Sequence, residues 1–160
     1  MANSKRIAVF PGSFDPITLG HEDIVLRSLS LFDEIIIAIG TNSAKNYMYS
    51  LEQRLAMIEA VFVHEPRVKV DTFTGLTVDY CRSKSIGYIL RGLRTSSDFE
   101  FERAIGQMNK AMYPELETVF YLSDPGLSAI NSTIVRDILK NGGDAQPFVP
   151  KNLNLAQFKH

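Results

Sequence analysis

A chain of 160 residues fits one domain whose core can hold it folded without covalent staples. Its 17 Lys plus Arg against 18 Asp plus Glu leave no global field to gather nucleic acid or an anionic membrane, so any anion site must be local. The lone cysteine, Cys81, excludes an internal disulfide and a multi-cysteine zinc site.

The opening MANSKR runs into apolar residues with no signal-peptide core, and nowhere does the chain reach the roughly 18 consecutive apolar residues of a membrane span; a soluble, cytoplasmic protein is expected. Residues 7–10 (IAVF) predict a first strand, and the stretch 10–21, FPGSFDPITLGH, turns from it into a helix carrying Ile24, Val25, Leu26, Leu29 and Leu31. Residues 34–40 (EIIIAIG) predict the second strand. Ser50 with Gln53 forms a capping box ahead of Leu51, Leu55, Ile58 and Phe62. Residues 68–73 (VKVDTF) give a third strand, after which Cys81 lies at helical spacing with Val78 and Ile86, as a packed core thiol would. Residues 88–90 (YIL) predict the fourth strand. Ser97 with Glu100 repeats the capping signal before Phe99, Ala104, Ile105 and Met108. Residues 117–122 (ETVFYL) give the fifth strand. The last helix starts at Asn131 or Ser132, carries Ile134, Val135, Ile138 and Leu139, and stops at Asn141-Gly142-Gly143. The tail 147–160 is expected to fold back as a short helix.

Several of these strands are uninterrupted apolar runs, which suits strands covered on both faces. The alternation of strand and helix predicts a single α/β domain over 1–160: a Rossmann-like, doubly wound parallel sheet of about five strands with helices on both faces. In such sheets ligands bind beyond the carboxyl ends of the strands, where the winding reverses.

The first turn falls at such an end. Gly12 allows close approach of backbone to a ligand, and Pro11 and Pro16 stiffen the loop. Gly20 and His21 occupy the first helical turn, where free N–H groups and the dipole attract phosphate, although a Gly-His pair can also simply cap a helix. A phosphate beside His21 would favour its charged form. Asp15 is expected to brace the loop by an Asx-type turn. Neither G-x-G-x-x-G nor G-x-x-x-x-G-K-[ST] is present, which excludes a dinucleotide fingerprint and a P-loop.

Thr18-Leu19-Gly20-His21 matches the T-x-G-H signature of nucleotidyltransferases, and the longer GSFDPITLGH narrows the match. With Lys45 after the second strand, GLT at 75–77, RGLR at 91–94, DFEFE at 98–102 and NSTIVR at 131–136, the chain resembles the bacterial phosphopantetheine adenylyltransferase family over nearly its whole length. The resemblance implies transfer of the adenylyl group of ATP to 4'-phosphopantetheine, giving dephospho-coenzyme A and pyrophosphate. It implies that His21 stabilises the transition state, and that Ser13, Lys45, Thr77 and Arg91 hold phosphopantetheine. On the nucleotide side it implies Ser13, Phe14, His21, Gly92, Leu93, Arg94 and Glu102, with Leu127, Ser128, Ala129, Ile130, Asn131, Ser132 and Thr133. Leu127 stands where the family often has tryptophan, and Asn131 where it usually has serine. A homohexamer, inhibition by coenzyme A and Mg²⁺ arriving with ATP are further implications.

The chemistry suits these residue types. Two polyanions must meet, so cations are needed first; Lys45, Arg91 and Arg94 supply them, although Lys45 taken alone reads more readily as a solvated surface charge. A phosphate nucleophile is already ionised, so neither a general base nor a covalent intermediate is required, and catalysis rests on in-line positioning and on donors aimed at oxygens that gain charge. Mg²⁺ binds chiefly through substrate phosphates, and no carboxylate cluster forms a metal site. Three alternatives remain: a sister enzyme using nicotinate mononucleotide or glycerol phosphate, a nucleotide-binding regulator without turnover, and nucleic-acid binding through RGLR. The last lacks a basic stripe or aromatic platform.

Overall fold

The computed structural model describes residues 5–159; the first four residues of MANSKR and the last of the tail, His160, lie outside them. Five strands, β1 (Ile7–Gly12), β2 (Glu34–Thr41), β3 (Val68–Thr74), β4 (Tyr88–Leu93) and β5 (Glu117–Leu122), alternate with α1 (Leu19–Ser28), α2 (Leu51–Val61), α3 (Thr77–Ser83), α4 (Ser96–Met112) and α5 (Ser132–Lys140). They form one parallel sheet in the order β3-β2-β1-β4-β5. The winding reverses between β1 and β4, which places the ligand crevice at their carboxyl ends.

The period of two along each strand divides the core. Ala8 and Phe10 of β1 and Ile35, Ile37 and Ile39 of β2 face α1, α2 and α5, packing on Ile24, Val25, Met57, Ile58 and Val135. Val9, Ala38 and Ile89 point to the other side, against Val78, Cys81 and Ile86. That double coverage explains the unbroken apolar runs. Cys81 is buried, and burial pushes its thiol up to about 11. Native protein treated with a thiol reagent at pH 8 should therefore stay unlabelled, and the urea-unfolded chain should react at once; fast labelling of the folded protein would contradict this packing.

Several local expectations shift. β4 runs on to Leu93, with Arg91 in register with Phe120, so Arg91 sits on a hydrogen-bonded strand and not in a loop. α4 is capped by Thr95, whose Oγ1 accepts the Asp98 N–H at 3.2 Å, in place of Ser97 with Glu100. Three consecutive hydroxyl residues compete there, and the one whose backbone is still extended at the strand exit wins. The Ser50–Gln53 box is present as read. Asn131 caps α5 by accepting the Ile134 N–H at 3.0 Å, and Gly142 beyond its end takes φ +76°. The apolar stripe of α1 is narrower than expected, because Leu26 and Leu31 are exposed. The tail consists of two single 3-10 turns, Gln146–Phe148 and Leu155–Gln157, tied together by the Gln146 side chain, which donates to Leu153 O and accepts the Leu155 N–H. Among the described residues no helix is long and apolar enough to cross a membrane.

Candidate active site

The turn after β1 is held by its carbonyls. Arg54 Nη1 donates to Ser13 O, Arg136 Nη1 to Asp15 O and Ser132 Oγ to Pro16 O, each at 2.8 Å. With the oxygens tied back by α2 and α5, the loop keeps one shape at the crevice. Phe14 adopts φ +47°, a left-handed conformation costly for a bulky residue, and its ring lies on Gly12, where a Cβ would meet Phe14 Cζ at 2.9 Å. Asp15 makes no Asx turn. Its buried carboxylate accepts the Met48 N–H at 2.8 Å and the Tyr49 N–H at 2.9 Å, clamping the first turn to the segment that leads into α2. A local turn would use the Ile17 N–H two residues on; the carboxylate reaches instead to the segment ahead of α2.

Arg54 was not legible as a site residue. A cation inside an amphipathic helix normally reads as a solvated face, yet Arg54 is 3% exposed. Its guanidinium also donates to Tyr49 O and lies 4.0 Å from the centroid of the Tyr47 ring. The only available signal was its place four residues after the Ser50 cap.

His21 sits at the third position of α1 and acts as the acceptor that Glu or Gln supplies in an ordinary capping box. Its Nδ1 accepts the Thr18 N–H at 3.0 Å, with Thr18 Oγ1 at 3.1 Å. A backbone N–H can only donate, so Nδ1 carries no proton and the neutral ring is protonated at Nε2. The rings of Phe10 and Phe14 flank it edge-on, with centroids 6.0 and 5.0 Å away. Burial, and then the Arg91 and Arg94 charges, lower its pKa from 6.5 to about 4. In the unliganded chain the imidazole is thus a neutral donor, because burial and the neighbouring Arg91 and Arg94 charges disfavour a second proton.

Two clefts flank this turn and share the Pro11–Gly12 and Arg91–Glu102 wall. The first, about 440 Å³, is bordered by Ser13, Lys45, Thr77 and Arg91. The second, about 330 Å³, is bordered by Phe14, His21, Gly92, Arg94 and the α5 N-terminus. Lys45 makes no ion pair among the described residues, so its ammonium is available in the first cleft. Arg91 is already engaged: Nε and Nη2 donate to the two Glu102 oxygens at 2.8 and 2.5 Å, and Nη1 donates to Pro11 O at 2.8 Å. Arg94 contacts Asp98 through both its backbone N–H and Nε. A Cβ at Gly92 would fall 2.4 Å from Ile24 Cδ1 in the floor of the second cleft, so any side chain there would have to displace that methyl.

Of the segment 127–133, Leu127, Ile130, Asn131, Ser132 and Thr133 border the second cleft. Ser128 turns away to donate to Pro125 O, and Ala129 stands outside the wall. The Leu93 side chain is buried beneath the site and does not reach the cleft surface. Sequence reading missed Tyr47, Phe73, Asn109 and Thr118, which also line the first cleft. These lie on separate elements in no common motif; Tyr47 stands two residues after Lys45 and Phe73 two before Gly75, and the other two had no such neighbour. Among the described residues no cluster of three or more His, Cys, Asp or Glu could hold a metal ion.

A five-stranded parallel sheet with an anion-seeking turn and an imidazole at its switch point defines a nucleotidyltransferase-type domain, and the cytidylyltransferase-like family model matches residues 9–138. Two solved structures of a bifunctional NMN adenylyltransferase/ADP ribose pyrophosphatase from Francisella tularensis share the fold, with TM-scores of 0.67 and 0.71 at 20% and 19% identity. The chain is covered to 91% and 92% but spans less than half of those chains, 44% and 46%. A phosphopantetheine adenylyltransferase of Christiangramia forsetii is 55% identical over 89% of this chain and 94% of its own. That of Flavobacterium johnsoniae is 54% identical, over 91% and 95%. The chain belongs to the phosphopantetheine adenylyltransferase family.

Proposed function

We infer that this protein transfers the adenylyl group of ATP to 4'-phosphopantetheine, releasing pyrophosphate and leaving dephospho-coenzyme A. The observation that carries this reading is the pair of clefts meeting at Gly12 and Arg91, one bordered by His21 and the other by Lys45. Such a layout suits an in-line displacement, with the acceptor phosphate in the first cleft and the triphosphate in the second. An oxygen of the acceptor phosphate bonds to the α-phosphorus as the bond to the β-phosphate oxygen breaks. His21 donates from Nε2 to a non-bridging α-phosphate oxygen as its charge grows. Lys45 and Arg91 hold the acceptor phosphate, aided by Ser13 and Thr77. Phe14, Gly92, Leu93 and Arg94 hold the nucleotide, together with the Leu127, Ser128, Ala129, Ile130, Asn131, Ser132 and Thr133 segment. Backbone groups serve where side chains turn away.

Enzymes of this family that act on ATP use a divalent metal, and Mg²⁺ belongs to the reading. The cleft carboxylates Asp98 and Glu102 are each engaged by an arginine, so the ion fits as cargo of the triphosphate. When bound it would screen phosphate charge. A homohexamer, a cytoplasmic location and inhibition by coenzyme A complete the proposal; Phe101, Met108 and Leu122, 68%, 62% and 74% exposed, give α4 and β5 an apolar surface suited to self-association.

Pyrophosphate release should be measured with ATP and with CTP against phosphopantetheine, nicotinate mononucleotide and glycerol phosphate in turn. Release is expected with ATP and phosphopantetheine alone. Release only with another acceptor, or tight ATP binding with no product from any, would overturn the reading.

A further inference from the structure

Resting on the functional reading above, we propose that Arg54 is a positioning residue for the acceptor: from beneath the first cleft it fixes the spacing of its two lips, the turn at Ser13 and the loop that carries Lys45 and Tyr47. Arg54 borders neither cleft, so it acts only through its neighbours. With Asp15 it is one of two charged residues buried among those described. A guanidinium taken out of water is costly unless its donors and its faces are used, and here each of them leads to the acceptor cleft.

Nη1 donates to Ser13 O at 2.8 Å, on the first lip. Nε donates to Tyr49 O at 3.2 Å, at the base of the second. Cζ stands 4.0 Å over the centroid of the Tyr47 ring, and Tyr47 lines the cleft two residues after Lys45. Tyr49 is gripped at both ends, its N–H by Asp15 Oδ1 at 2.9 Å and its carbonyl by Arg54, so the segment leaving the loop is tied to the turn and to α2 together. The arginine itself stands in the first turn of α2, which the Ser50–Gln53 box secures. A lysine in its place can donate to a carbonyl but offers no planar face to the ring. Without the guanidinium the Tyr47 ring loses its seat, and the loop with Lys45 regains freedom that the acceptor must remove when it binds. Nucleotide binding is spared, because no partner of Arg54 borders the second cleft.

The test is a double-mutant cycle of R54M and Y47L, with R54K as the conservative variant, melting curves to confirm folding, and rates measured with each substrate varied in turn. R54M should lower kcat/KM for phosphopantetheine on the order of tenfold to a hundredfold while leaving the KM for ATP within about twofold. Y47L should lower the same kcat/KM about three- to tenfold, and adding it to R54M should cost no more than about twofold, because the ring has already lost its seat. R54K, which keeps a donor for the carbonyls and loses the stacking face, should match Y47L. The proposal is overturned if the ATP KM rises as much as the acceptor KM, if the losses in the double variant multiply, or if only the melting temperature falls, as a merely structural role would give. If R54M does not fold, R54K and Y47L decide: equal losses confined to the acceptor support the proposal, and a wild-type-like R54K refutes it. Should the wild-type chain turn over no phosphopantetheine, the functional reading fails on its own. Limited trypsin digestion then decides the clamp. Cleavage after the exposed Lys45 rising severalfold in R54M, with cleavage after Lys84 and Lys151 unchanged, supports it, and a uniform rise at all three refutes it.

Discussion

His21→Ala is expected to lower kcat about a hundred- to a thousandfold while the protein stays folded. Nδ1 is occupied by the Thr18 N–H, so the ring can neither flip nor take its proton at Nδ1 without leaving that amide unpaired. This fixes Nε2–H as the donor at the second cleft. A donor already in place needs no reorganisation as charge builds on the α-phosphate, which is why its loss appears in kcat. The substitution also removes the acceptor for the Thr18 N–H, at about 1 kcal/mol of stability, too little to unfold a domain of this size. Turnover within a few-fold of wild type in a purified, folded variant would end the role.

The pH dependence follows with its sign. The folded-state pKa of His21 is lowered from 6.5 to about 4. Above pH 6.5 both folded and unfolded chains hold the ring neutral, and its contribution to stability is fully present. Between 6.5 and 4 the unfolded chain takes up a proton that the folded chain refuses, so this contribution falls with pH, by up to about 3 kcal/mol, and levels off below 4. Urea midpoints measured across that window should drop less steeply in His21→Ala than in wild type. Parallel curves would show that the ring titrates normally.

Asp15→Ala is expected to be the most destabilising change near the site. It orphans the part-buried Met48 N–H and the buried Tyr49 N–H, both held by one carboxylate. It also removes the carboxylate that lies 4.0 Å from Arg136 Nη1 and offsets the buried charge of Arg54. Two such losses together cost about 3–5 kcal/mol, a fall in Tm on the order of 10 °C for a chain of this length. Asp15→Asn keeps a single accepting oxygen and should recover only part of it. Because the freed segment carries Tyr47 and follows Lys45, the KM for phosphopantetheine should also rise severalfold in whatever remains folded. A Tm within 2 °C of wild type, on the order of 1 kcal/mol, would show that the clamp contributes little.

The strand exits and the switch point were readable because both are local or topological. Unbroken β-branched runs mark strands covered on two faces, and right-handed crossovers leave few ways to order them. The Ser50 box and the Asn131 cap announce their helices through backbone chemistry within four residues. Where three hydroxyls stood in a row at residues 95–97, local chemistry could not choose, and the length of β4 decided for Thr95. The anion-seeking turn and His21 were likewise visible, because a helix N-terminus after a strand states its preference for phosphate without help from elsewhere.

What only the tertiary structure decided is how that turn is held and in what state its residues wait. Asp15 bonds to amides 33 and 34 residues away, Arg54 reaches back to Ser13, and Arg136 and Ser132 close the other side across more than a hundred residues. The neutrality of His21 depends on burial and on two arginines from β4 and the segment after it; the pairing of Arg91 depends on a glutamate from α4. Spacing along the chain carries the residue types, because secondary structure is a short-range affair. Charge state and orientation depend on what surrounds a side chain in three dimensions, and those neighbours are assembled only when the sheet closes.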